Sequence, residues 1–287
     1  MKFACFVVGS RHRIGIVDID ASSIRALDPS LHDMIELIEK YDEFDVLQHL
    51  EGPAIPLEQV KLVAPINPRR NIFCVGKNYR AHAKEFSGSG YEAGAVKGAE
   101  IDEFPAVFTK PPSTVVGNGD TVDLHAHITS AVDYEAELAL IIGKTGRDIA
   151  PDDAYDHIWG YTLVNDVTAR DRQRDHKQWF LGKALDTFCP MGPWIATADE
   201  LQADNLELQC WVNGELRQQA NTRDLIFDIP TLVATISAGL TLQPGDVIAT
   251  GTPAGVGIGF NPPRFLKPGD EVSLSIAGIG TLSNRFE

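Results

Sequence analysis

Glu135 and Glu137 head an apolar run, Asp133-Tyr-Glu-Ala-Glu-Leu-Ala-Leu-Ile-Ile-Gly143, that reads as a buried strand closed by glycine. Residues two apart in a strand share a face. Two carboxylates placed that closely repel unless one takes up a proton or a cation stands between them. Asp166 ends the next apolar run, which begins at Trp159. If the two strands are neighbours, the three carboxylates form a cage. All-oxygen donors favour a hard cation, Mg²⁺ first, with Mn²⁺ or Ca²⁺ as further choices. Three protein ligands on an octahedral ion leave three positions for substrate or water. The same spacing also suits two glutamates on a solvated strand face, and these residues alone leave both readings open.

Other residues offer compatible chemistry. A short helix is expected from Asn78, its cap, and on it His82 and Glu85 are three apart and share a face. A carboxylate that orients an imidazole and stabilises its charged form makes a general base, although an ordinary surface pair has the same spacing. Lys183 lies in an apolar neighbourhood, where an ammonium needs an anion: a substrate carboxylate, an enolate or a plain salt bridge. Gln173, on a helix opening after Asp166, is placed to reach a ligand or solvent. Lys110 begins a rigid Lys-Pro-Pro turn and is a candidate to face the site. The glycine-rich loop 251–259 exposes backbone N–H groups and the Thr252 hydroxyl, which suit a carboxylate or phosphate, but it lacks the spacing and lysine of a P-loop. Residues 87–104, with four glycines and few large apolar groups, read as a mobile loop, either a lid beside the candidate base or a surface insertion. His125 and His127 lack partners at a zinc-like spacing.

The elements that must carry these groups are readable in outline. Strands are expected at 3–8, 14–19, 60–63, 72–75 and 105–110, and an amphipathic helix at 30–40. A hairpin turns at Asn213-Gly214, and a helix runs from its cap Asp228, with Pro230 in its first turn, to Gly239. Strands follow at 246–250, 271–276 and 281–286. Pro65-Ile-Asn-Pro68 looks like a linker, which separates a small N-terminal unit (1–66) from a larger catalytic domain (67–287). At 44% hydrophobic residues the chain supports a sizeable core, and a net charge of −15 argues against nucleic-acid or anionic-membrane partners. Cys5, Cys74, Cys189 and Cys210 form no close pair and read as thiols of a reducing compartment. Without a signal-peptide core or a membrane-length apolar run, a cytoplasmic location is expected.

Taken in order, Gly76-x-Asn-Tyr-x-x-His82-x-x-Glu85, Lys110-Pro, Glu135-x-Glu137-Leu, Asn165-Asp166-x-Thr-Ala-Arg-Asp171, Lys183, Asn213-Gly214 and Gly251-Thr-Pro-x-Gly-Val-Gly257 resemble the fumarylacetoacetate hydrolase family from about residue 65 onward. The resemblance implies an α+β, mostly β fold: a mixed β-sandwich roll with a small N-terminal α/β unit, assembled as a homodimer. It implies Mg²⁺ or Mn²⁺ on Glu135, Glu137 and Asp166, and a water-activating pair, His82 and Glu85, on a lid helix. Lys183 is then the group that stabilises developing negative charge, with Gln173, Thr252, Arg80 and Lys110 as substrate contacts. The implied reaction is hydrolysis of a C–C bond in an acylpyruvate-type 2,4-dioxo acid, fumarylpyruvate-like, through a pyruvate enolate. The same enolate chemistry serves decarboxylation of oxaloacetate or isomerisation of a 2-hydroxyhepta-2,4-dienedioate. The base pair favours hydrolysis, since decarboxylation needs no activated water. A non-catalytic relative that only binds a metal or carboxylate would have no use for that pair.

Overall fold

The run that carries Glu137 forms a strand, Ala136–Ile142, whose every residue is buried. A strand buried throughout needs cover on both faces. The structure, a computed structural model that describes residues 1–91 and 102–287, supplies that cover with a second sheet on one side and a helix on the other. In chain order the principal elements are β1 (Lys2–Val8), β2 (Arg11–Asp18), β3 (Ser23–Leu27), α1 (Met34–Lys40), β4 (Leu50–Pro56), β5 (Ile72–Gly76), α2 (Arg80–Ser87) and β6 (Ala106–Lys110). Then come β7 (Ala136–Ile142), β8 (Ile158–Asn165), α3 (Arg170–Asp175), α4 (Phe180–Lys183), β9 (Cys189–Thr197), β10 (Glu207–Val212) and β11 (Glu215–Asn221). The chain ends with α5 (Ile229–Ser237), β12 (Val247–Ala249), β13 (Glu271–Ile276) and β14 (Gly280–Phe286).

The large sheet runs β4-β3-β2-β1-β9-β8-β7-β12-β5-β6, mostly antiparallel, with β12 and β5 parallel. The smaller sheet is built on β11-β10-β13-β14. Leu138, Leu140 and Ile142 of β7 pack with Leu208 of β10, Leu274 of β13 and Leu282 of β14 in one core. On the opposite face, Ala139 and Ile141 meet Met34, Ile35 and Ile38 of α1. This is the expected α+β, mostly β sandwich. The N-terminal strands extend the same sheet, because β1 pairs with β9 through Phe3 and Ile195. Asp33 caps α1 by accepting from the Glu36 N–H at 2.8 Å.

Several elements lie outside the sequence expectation. β4 contains two prolines and shows no alternation of burial, as an edge strand tolerates. β9 runs through the middle of the sheet despite Pro190 and Pro193. Its register against β8 shifts between Tyr161 and Leu163, and such an irregularity accommodates a residue without an N–H donor. Asn78 is not the cap of α2; Tyr79 holds that position. The Asn78 side chain is instead spent on tertiary bonds, donating to the carbonyls of Phe227 (3.0 Å) and Thr250 (2.8 Å) and accepting from the Phe227 N–H (2.8 Å). Residues 92–101 of the expected lid loop lie outside the described residues. Among the described residues no helix is long and apolar enough to cross a membrane.

Asn78 thus fastens the root of α2 to the strand end that precedes the glycine-rich loop. Replacing it by Ala leaves the buried Thr250 carbonyl and the part-buried N–H and carbonyl of Phe227 without this partner. An Asn78→Ala variant is expected to lose roughly 2–4 kcal/mol of unfolding free energy in urea titration, against about 1 kcal/mol for a typical substitution.

Candidate metal centre

β7 and β8 set the cage by their register: Ala136 faces Asn165 and Glu137 faces Val164. Beyond the end of the ladder the two segments stay clamped. The Asp166 N–H donates to the Glu135 carbonyl at 2.9 Å, and the Asn165 side chain accepts from the Glu135 N–H at 2.9 Å. Glu135, Glu137 and Asp166 are thereby brought together, each buried, and one oxygen from each lies within 4.8 Å of the others.

Three cations are packed into this acidic cluster. Lys183 Nζ bridges Glu135 (2.7 Å) and Asp166 (2.6 Å). Arg170 pairs with Glu135 at 2.6 Å and with Asp133 at 2.9 Å. Lys110, wholly buried, forms an ion pair with the other Asp166 oxygen at 2.7 Å and donates to the carbonyls of Val167 (3.1 Å) and Lys183. Burial presses the Glu135 carboxyl upward, but Lys183, Arg170 and His82 outweigh it and hold the group at about 2. Glu137 goes the other way. Burial, then the charges of Asp166 and Glu135, push its carboxyl well above the usual range, against a weaker pull from Lys183 and the Gly251 N–H. Burial raises Asp133 as well, partly offset by Arg170. Lys183 is desolvated, yet Asp166 and Glu135 more than compensate and keep its ammonium charged.

Three buried carboxylates, all oxygen donors, one of them raised by burial and by the charges of the other two, fit a hard divalent cation. Glu135, Glu137 and Asp166 would hold it.

The base pair lies beside the cage. His82 Nδ1 is 3.1 Å from Glu85 Oε2, and both side chains are largely enclosed. The glycine-rich loop explains how they are held. Its N–H groups do bind carboxylates, but the protein's own. Gly251 donates to Glu137 (2.9 Å), Gly255 to Glu85 (3.1 Å), and Gly257 and Ile258 to Asp133 (2.6 and 3.1 Å). The expectation that these donors serve a ligand is corrected accordingly; what the loop offers the cavity is the Thr252 hydroxyl. Its oxygen already accepts from Gln218 at 2.8 Å, so its hydrogen is left to donate.

Of the residues singled out in the sequence, Glu135, Glu137, His82, Gln173, Lys183 and Thr252 line one small cavity of about 20 Å³, and Asp166 stands behind Lys183. Two expected substrate contacts do not. Arg80 is exposed on the first turn of α2 and lines a separate groove with Tyr79 and Arg223. Lys110 is fully enclosed behind Asp166, so it positions the cage rather than touching a ligand. Arg170 and Asp133 were missed. Asp133 continues the alternation of Glu135 and Glu137, a signal present in the sequence. Arg170 was hidden among Arg172 and Arg174 on a polar helix. His125 is taken up by the Asp186 carbonyl at 2.9 Å.

Comparison with known proteins agrees with this geometry. The family model for the fumarylacetoacetate (FAA) hydrolase C-terminal domain matches residues 71–287. The oxaloacetate tautomerase YisK of Bacillus subtilis (strain 168) is 54% identical over 232 residues, 80% of this chain and 74% of that protein. A fumarylacetoacetate hydrolase from Exiguobacterium antarcticum superposes with a TM-score of 0.87 at 43% identity, covering 100% of this chain and 99% of the other. Maleylpyruvate hydrolase from Sphingobium sp. SYK-6, solved with manganese(II) and pyruvate, superposes with a TM-score of 0.78 at 34% identity, covering 100% and 98%.

Two measurements check the cage. A carboxyl raised on folding binds a proton that the unfolded chain has already lost, so its contribution to stability is full below pH about 4.3 and fades as pH climbs through the folded value. A divalent ion must displace that proton. Calorimetric titration of Mn²⁺ in buffers of different ionisation enthalpy is expected to register proton release, and affinity that rises with pH until Glu137 is ionised. Glu137→Gln should abolish both. Separately, Lys110→Met should weaken Mn²⁺ binding by about 10–100-fold, the usual effect of removing a group that orients a ligand.

Proposed function

Because the chain belongs to the fumarylacetoacetate hydrolase family, we propose that it is a divalent-metal enzyme interconverting the keto and enol forms of a short 2-oxo acid, oxaloacetate foremost. The observation that carries this reading is that a carboxylate-oriented imidazole shares one small cavity with a charged lysine and a charged arginine. That is a base facing the groups that stabilise an enolate. The 54% identity to an oxaloacetate tautomerase supports the same choice. The proposal takes Mg²⁺ as the first ion and Mn²⁺ as the next, a homodimer as the assembly, and residues 1–66 as an accessory to the catalytic body.

Glu85 only accepts, so it places the imidazole proton on Nδ1 and leaves Nε2 of His82 as the base. Nε2 takes a proton from the carbon next to the 2-oxo group. The electron pair moves to the oxygen, and Lys183 receives that developing charge. Two of its three N–H donors are spent on Glu135 and Asp166, which leaves one for the substrate. Thr252 donates its hydroxyl to the substrate carboxylate, and the Gln173 amide, whose oxygen takes an N–H from Arg170 at 3.3 Å, offers a further donor. A divalent ion on Glu135, Glu137 and Asp166 would supply Lewis acidity for the same charge. The His82 imidazolium then gives that proton to the 2-oxo oxygen, which completes the enol and restores the neutral base; in the reverse direction the proton passes from the enol oxygen through His82 to carbon.

A second reading, hydrolysis of an acylpyruvate, keeps the same base and directs it at water. The likeness to maleylpyruvate hydrolase favours it. One experiment separates the two. With Mg²⁺, consumption of the oxaloacetate enol and release of pyruvate from fumarylpyruvate are followed side by side, then again with EDTA. The proposal expects a kcat/KM for the enol at least about 100-fold above that for pyruvate release, and His82→Ala should cost about 10²–10⁴ in kcat while leaving Mn²⁺ binding intact. Faster pyruvate release would reverse the assignment, and full activity in EDTA would remove the metal from it.

A further inference from the structure

We infer that Trp179 sets the length of substrate this site accepts, restricting it to short 2-oxo acids and excluding seven-carbon chains. The inference rests on the enolate reading above, since that reading fixes which end of the substrate lies at the cage.

A 2-oxo acid held at Lys183 and Thr252, with its third carbon at His82, has to direct the remainder of its chain away from the carboxylates. Beside Val75 and Lys77, the cavity wall available to it is an aromatic cluster: Phe86 of α2, Phe108 of β6 and Trp179 at the head of α4. Trp179 is the hub of that wall. Its ring meets Phe108 edge-on, with centroids 5.2 Å apart, and Phe86 at 6.1 Å. Phe108 in turn lies 5.1 Å from the Lys183 ammonium, so the wall begins directly beside the cage.

Gly76 shows how tightly the indole is seated. A Cβ at that position would fall 2.2 Å from Trp179 Cζ3, so the indole occupies the space of a side chain at residue 76. The first glycine of the Gly-x-Asn-Tyr motif is therefore a socket for Trp179. With the ring in that socket, the cavity is about 20 Å³, close to the room one water molecule needs. A short acid is accommodated by small shifts of α2 and Lys183. A longer chain directed at this wall meets the indole.

The test compares wild type, Trp179→Ala and Trp179→Phe on oxaloacetate and on a seven-carbon 2-hydroxy-2,4-dienedioate. Mn²⁺ titration verifies the cage in each. The expected result is a shift of the kcat/KM ratio toward the longer acid, about thirtyfold or more in Trp179→Ala and a smaller shift in Trp179→Phe. The Phe variant keeps an aromatic contact with Phe86 and Phe108 and decides the matter where the Ala variant does not fold. An unchanged ratio in a variant that still turns over oxaloacetate overturns the inference. So does a wild type that already prefers the seven-carbon acid, and in both cases the enolate reading stands. A wild type with no turnover of either acid sinks the enolate reading instead.

Discussion

Four buried carboxylates share three buried cations, and the distribution of the deficit shapes the site. Asp133 has Arg170 and two loop N–H groups. Glu135 has Arg170 and Lys183, and Asp166 has Lys183 and Lys110. Glu137 has one N–H, from Gly251, and no cation of its own. An uncompensated charge in a desolvated cluster costs several kcal/mol, so the imbalance settles on Glu137 as a raised affinity for a proton. Glu137 also lines the cavity. Of the four, the carboxylate without a cation among the described residues is thus the one that a metal ion could reach. With Glu137 ionised, a divalent ion there would change the cluster from one net negative to one net positive. Such a cluster would favour an anionic substrate and, more strongly, the extra negative charge of an enolate.

The glycine-rich loop holds this arrangement together. Within nine residues it supplies N–H donors to a carboxylate of the candidate cage (Glu137), to the partner of His82 (Glu85) and to the anchor of Arg170 (Asp133). These groups come from two distant parts of the chain, and the loop is where their geometry becomes mutual. Close approach is the reason for glycine at its end: a Cβ on Gly259 would overlap the Glu85 carboxylate. Docking of α2 onto the loop and orientation of His82 are consequently one event, since Glu85 serves both.

Much of this was legible in the sequence wherever the signal is local. The period of two placed Glu135 and Glu137 together, and the buried run gave β7. Asn213-Gly214 gave the hairpin, both residues adopting the positive φ its turn requires. Asp228 gave α5, accepting from the Thr231 N–H at 2.9 Å. What escaped depends on partners far along the chain. Asn78 has the composition of a cap but bonds to residues 227 and 250. Lys110 reads as a substrate contact until burial shows its ammonium held by Asp166 and by the carbonyl of Lys183. The loop donors announce that an anion is wanted, and nothing local says that the protein provides it. β9, with two prolines, carries no local strand signal, and the register shift that admits Pro193 exists only in its pairing with β8, where Tyr161 and Leu163 face Ala196 and Gly192.

The two halves of the cavity have separate origins. The polar half, which performs the chemistry, is fixed by β7, the end of β8 and the glycine-rich loop. Its parts constrain one another so closely that replacing a single carboxylate or lysine unbalances the rest. The apolar half comes from α2, β6 and the head of α4, whose rings meet one another, while the same elements reach the cage through Lys110, Lys183 and the His82–Glu85 pair. Aromatic contacts are less directional than buried ion pairs, so that wall tolerates changes of size that the cage does not. Enolate stabilisation is common to tautomerisation, decarboxylation and C–C cleavage. A change in the length of the acid is therefore accommodated more readily on the aromatic side, where Gly76 and Trp179 meet, than among the carboxylates.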